Sequence, residues 1–165
     1  MPSLETLTHW TAQGSFLFYV IALVIQPKFA RALWTAACLM MLIHVTLAFH
    51  SFHHWSHRAA YEDTARQTAQ LTGMQWGGGV YANYTLLLVW FADVIWWWRG
   101  LTAYGSRSKI ITRFIQGFLA FMWFNATVVF GHGWTRWLGV AGFLILGCRW
   151  LIARANSKTK PLPPK

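Results

Sequence analysis

The sequence predicts an all-α, polytopic integral membrane bundle of five transmembrane helices, with a short extramembrane helix between the second and third. Three observations carry this prediction. The residues are 56% hydrophobic and only 11% charged, against about a quarter charged in an ordinary soluble domain. Five apolar runs approach or exceed the roughly 17 to 20 residues that a helix needs to cross about 30 Å of hydrocarbon. Lys and Arg alternate between dense and sparse in successive connections, as five crossings require.

The first run covers about 10–26, with SFLFYVIALVI as its core and Pro27 as its stop. The preceding MPSLETLTHW contains no Lys or Arg, so it lacks the basic start of a cleaved signal peptide, and the run is expected to be retained. The second run covers about 29–50, the third 80–98, the fourth 110–131 and the fifth 137–153. Unpaired backbone groups are so costly in lipid that each run should form a continuous helix. Residues 1–155 then make one transmembrane domain. Residues 156–165, which end in PLPPK, read as a basic, Pro-rich, disordered tail.

Orientation follows from the cations. Lys28, Arg31, Arg99, Arg107, Lys109, Arg113, Arg149, Arg154, Lys158, Lys160 and Lys165 fall on one side of a five-span layout, whereas Arg58, Arg66 and Arg136 fall on the other. The positive-inside rule makes the first group cytoplasmic, with the N-terminus outside and the C-terminus inside a cell inner (plasma) membrane. The same distribution accounts for the net charge of +10 without nucleic acid: the cations flank apolar runs and form no continuous patch. Lipid and other membrane subunits are the expected partners. Trp10, Tyr81, Tyr84, Trp96 to Trp98, Trp134 and Trp137 sit at span ends and read as interfacial belts. Cys38 and Cys148 lie inside apolar runs, so they read as structural residues and not as a disulfide.

The long outer connection should contain a helix. SHRAAYEDTARQTAQLTG has Ser56 as N-cap, Glu62 spaced to pair with Arg66, and Gly73 as stop.

Histidine supplies the main chemical signal. His9, His50, His53, His54, His57 and His132 all map to the outer face, with His44 deeper in span two. If span two continues through FHSFHHWSH, then His50, His53, His54 and His57 share one face within an arc of roughly 100°. Imidazoles spaced i, i+4 can give one metal two bonds from a single helix, and Glu62 and Asp63 add carboxylates as ligands or as partners that orient a ring. Imidazole suits Fe, Cu or Zn. The alternative cofactor is haem b, held between His44 or His50 and His132 on facing helices. HxxHH, from His50 to His54, resembles one histidine box of the membrane fatty-acid hydroxylases and desaturases. The resemblance covers five residues, and those di-iron sites need several boxes at the cytoplasmic face, so nothing further is carried over from that family.

Asp93, in span three, is an intramembrane carboxylate expected to pair with Arg31, Arg99 or Arg113. Asn83, Gln116 and Asn125 are expected to join helices by hydrogen bonds. No Ser-His-Asp order, carboxylate pair or phosphate loop points to a self-contained hydrolase or transferase. No inverted repeat points to a transporter. Two functions follow as expectations. One is a small membrane protein or subunit whose outer histidines bind a transition metal or haem for electron transfer or metal handling. The other is a structural or assembly subunit that contacts partner helices or pigments and carries no cofactor of its own.

Overall fold

The computed structural model describes residues 2–25 and 27–158, and is all-helical over them. Helix α1 (Leu4–Val24) begins six residues before the predicted span. Ser3 caps it, the side chain accepting from the Thr6 N–H at 3.2 Å, and Glu5 sits in the first turn, where the helix dipole favours an anion. The hydroxyls of Thr8 and Thr11 donate to the carbonyls of Leu4 and Leu7, which lets polar side chains sit inside the helix. His9 therefore belongs to α1, although the predicted span began after it.

Pro27, expected as a stop, opens helix α2 (Pro27–Ser51), a position where its missing N–H costs nothing. The short link makes α1 and α2 a hairpin, pinned where the buried Ser15 hydroxyl donates to the Ala37 carbonyl at 2.7 Å. Helix α3 (His57–Thr72) is capped as predicted: the Ser56 side chain accepts from the Ala59 N–H, and Gly73 ends the helix at φ 76°. The expected Glu62–Arg66 pair does not form. Glu62 takes Arg58 at 2.7 Å, and Asp63 takes Arg66 at 2.8 Å.

Helix α4 (Gly79–Trp98) is followed by Gly100 at φ 148° and a single short helix, α5 (Leu101–Gly105). Helix α6 (Lys109–Phe124) passes directly into a π segment (Asn125–Val129). Asn125 does not join a neighbouring helix as expected. Its amide donates to the Phe121 carbonyl, and its own carbonyl receives the Phe130 N–H five residues on. Helix α7 (Gly133–Lys158) starts on Gly133 at φ 53° and absorbs the first three residues of the predicted tail; residues 159–165 lie outside the described residues.

Four helices are long and apolar enough to cross a membrane: Leu4–Val24, Phe29–Ser51, Gly79–Trp98 and Gly133–Asn156. The predicted fourth run appears as α6 plus the π segment, unbroken from Lys109 to Val129 but regular α-helix only to Phe124.

The centre of the bundle is aromatic. Phe16 and Tyr19 of α1, Trp34 of α2, Trp90 of α4 and Trp123 of α6 are all at most 2% exposed, with ring centroids 5.2 to 6.1 Å apart in successive contacts. Such rings contribute through area and through tilted or edge-on geometry. Anchoring at the interface thus leaves out three of the tryptophans, which build the core. Helix α7 joins this core over small residues. Gly139 sits on Thr127 of the π segment, and Gly142 sits on Phe16, where an added Cβ would meet the ring at 2.6 Å; this is the close approach that glycine permits between membrane helices.

Candidate functional sites at the two ends of the bundle

The histidine stripe requires α2 to continue to His57, and α2 stops at Ser51. The chain then turns through Phe52 to Ser56, with His54 and Trp55 in the left-handed region at φ 46° and 60°. Histidine tolerates that region better than most residues. The Trp55 N–H donates back to the Phe49 carbonyl at 3.0 Å, which closes the turn. The four imidazoles consequently take separate directions. His50 is exposed, its ring 6.4 Å from Trp55, and His53 packs edge-on against Phe49 at 5.5 Å. His54 is exposed in the turn. His57 starts α3 and lies between two phenols of α4, with Nδ1 2.9 Å from the Tyr84 hydroxyl and Nε2 3.4 Å from that of Tyr81.

The deeper His44 faces α1. Its Nδ1 lies 2.9 Å from the Thr8 carbonyl. A carbonyl only accepts, so Nδ1 carries the proton and donates. His132 is exposed in the link before α7, and His9 is exposed on α1. For haem, His44 is therefore directed into the α1–α2 seam, while the bundle centre is filled by aromatic rings in mutual contact.

The structure does gather three of the predicted ligands around one shallow cavity. His53, Glu62 and Asp63 line about 230 Å³ together with Phe52, Ala59 and Arg66. Both carboxylates are engaged there, Glu62 by Arg58 and Asp63 by Arg66 and Gln67. Among the described residues no group of three or more His, Cys, Asp or Glu is arranged to hold a metal ion.

The opposite end holds a denser site. Asp93 is fully buried and paired with Arg107, whose side chain is only 4% exposed. The other carboxylate oxygen accepts from the Trp34 indole at 2.9 Å and the Tyr104 hydroxyl at 3.0 Å. The Arg107 Nε donates to the Thr112 hydroxyl at 2.9 Å, and its guanidinium lies 3.8 Å over the Tyr104 ring, which stacks in turn on Trp97. Burial first, then the adjacent Asp93 carboxylate, pushes the Tyr104 phenol above its ordinary value.

Arg31, Arg99 and Arg113 are not the partners of Asp93, contrary to expectation. Gly100 reverses the chain, and α5 folds back to deliver Tyr104 and Arg107 beneath α4. Arg31 lies instead over Trp98 at 4.2 Å. Sequence reasoning missed Trp34, Tyr104 and Thr112. The available signal was a buried carboxylate with aromatic donors at the same depth.

This architecture is consistent with a multi-pass membrane protein. In comparisons with known proteins, no family model, curated protein or solved structure matches the chain.

Proposed function

We propose that the chain is a five-crossing inner-membrane protein, N-terminus outside and C-terminus inside, acting as an assembly subunit that docks transmembrane helices of a larger complex. The cation distribution supports the orientation, and α6 with its π segment supplies the fifth crossing. One observation carries the docking role: α7 is the least buried of the four apolar spans, with 11% of its most apolar stretch buried against 22 to 33% in the others. Its first half packs on α1 and the π segment through Gly142 and Gly139, whereas residues 147–156 are exposed on every side. That exposed length includes Arg149, and intramembrane cations normally face protein or reach for the interface. Gly147 leaves open space for a close neighbour.

The test is extraction in gentle detergent followed by native electrophoresis. The chain should migrate in an assembly far larger than its 19.0 kDa, and Gly147→Leu should release it. A chain that runs alone refutes the docking role.

The cavity at His53, Glu62 and Asp63 favours a second reading, in which the outer loop binds Fe, Cu or Zn for metal handling or electron transfer. Metal analysis and an optical spectrum of the purified protein test it, and also test haem b on His44, His50 or His132. Stoichiometric metal lost in His53→Ala supports the loop site, and a Soret band lost in His44→Ala or His132→Ala supports haem.

A further inference from the structure

We propose that a cavity beside the start of α6 binds the phosphate of an anionic phospholipid headgroup. The cavity, about 360 Å³, is lined by Tyr104, Gly105, Arg107, Lys109, Thr112 and Arg113. Half of these residues are basic, and the chain has almost nothing to neutralise them. Its acidic side chains number four. Asp93 is taken by Arg107, Glu62 by Arg58 and Asp63 by Arg66. Glu5, the last, is in the first turn of α1, at the opposite end of the bundle. Lys109 and Arg113 thus face the cavity with no carboxylate counter-ion among the described residues.

Their spacing defines the ligand. Lys109 and Arg113 are i, i+4 neighbours on one stripe of α6. One residue further on, Ile110 and Phe114 form a parallel stripe, 76% and 67% exposed. A ligand meeting both stripes has an anionic head and an apolar tail, which selects a lipid over a free phosphate ion. Arginine offers a planar fork to phosphate oxygens, and the positive end of the α6 dipole points the same way. Basic pockets between membrane helices take acidic headgroups for these reasons. Arg107 is the floor of the cavity: Asp93 and Thr112 hold it in place, leaving the phosphate to Lys109 and Arg113. The inference rests on the membrane reading and not on the docking role of α7.

The experiment uses the purified full-length chain, with native mass spectrometry after exposure to phosphatidylglycerol, phosphatidylcholine or inorganic phosphate. Phosphatidylglycerol should be retained in preference to phosphatidylcholine. Lys109→Ala with Arg113→Ala should weaken its binding roughly 30-fold, two contacts of about 1 kcal/mol each at 1.4 kcal/mol per tenfold. Both side chains are exposed, and unchanged thermal unfolding of the variant confirms that its fold is retained. Equal retention of the two lipids overturns the proposal. So does an equal loss in Arg99→Ala, which would mean diffuse surface charge, and so does displacement of the lipid by inorganic phosphate, which would assign the cavity to the free ion. A chain that runs as a monomer yet selects phosphatidylglycerol refutes the assembly role alone.

Discussion

Replacing Asp93 with Asn changes almost no volume but removes the only carboxylate that the described residues place at the basic end of the bundle. In the native site the carboxylate meets three donors, from Trp34, Tyr104 and Arg107. The asparagine amide retains one acceptor oxygen and turns a donor toward at least one of these groups. Arg107, 4% exposed, is left without its counter-charge, and breaking a buried pair from one side costs about 3 to 5 kcal/mol. Arg107→Met should cost a similar amount, because it strands Asp93. The double variant should cost less than the sum of the two, by about 1 to 3 kcal/mol, since the second change removes a charge already stranded. Arg31→Met and Arg113→Met, which alter cations that Asp93 does not use, should stay within about 0.5 kcal/mol of the native protein. Denaturant titration in mild detergent, followed by tryptophan fluorescence, measures all five variants. A cost below about 1 kcal/mol for Asp93→Asn, or additivity in the double variant, would refute a buried ion pair tying these helices together.

Gly142→Ala should destabilise the isolated chain by about 1 to 3 kcal/mol, because its Cβ would meet the fully buried Phe16 ring. Gly147→Ala, with open space around it, should be neutral or stabilising by up to about 1 kcal/mol, and the same titration compares the two. Gly77→Ala places a Cβ onto the Tyr61 carbonyl and ring, so it should loosen α3 from α4, read as faster amide exchange confined to α3. The raised Tyr104 phenol makes stability depend on alkaline pH. Its contribution is complete below the unfolded value of about 10 and is lost as pH rises toward the higher folded value. The stability gap between the native protein and Tyr104→Phe should therefore narrow above about pH 10, and a gap that widens would contradict the shift.

The four helices long and apolar enough to cross a membrane were legible because hydropathy and length act locally. The α3 caps were equally plain, since Ser56 and Gly73 do their work within one turn. What failed depended on geometry across the chain. The histidine stripe assumed that α2 would continue, but a short turn with two left-handed residues, His54 and Trp55, ends it, and neither residue signals that conformation as glycine would. The partner of Asp93 was misjudged because Arg99 is nearer in sequence and Arg31 and Arg113 start neighbouring apolar runs, whereas Arg107 arrives only after the reversal at Gly100. Trp34, Trp90 and Trp123 carry no sequence mark that separates a core indole from an interfacial one. The π segment was invisible because no residue type demands it.

The two ends of the bundle are held by different physics, and this bears on where a ligand can act. At the basic end, one carboxylate joins α2 through Trp34, the α5 turn through Tyr104 and Arg107, and α6 through Thr112. Hydrogen bonds to buried charges are the strong ones, so this end presents fixed geometry to whatever reaches Lys109 and Arg113. At the histidine end, α3 is held by exposed hydrogen bonds between His57 and the Tyr81 and Tyr84 hydroxyls and by close packing at Gly77. Exposed bonds of that kind contribute about 0.5 to 1.5 kcal/mol each, and segments held so weakly open most readily. His53, Glu62 and Asp63 can therefore be drawn together, or spread against a partner, at a cost the Asp93 network would not allow. A binding event that rearranges side chains belongs at the loop joining α2 to α3, and one that needs a preformed cradle belongs beside α6.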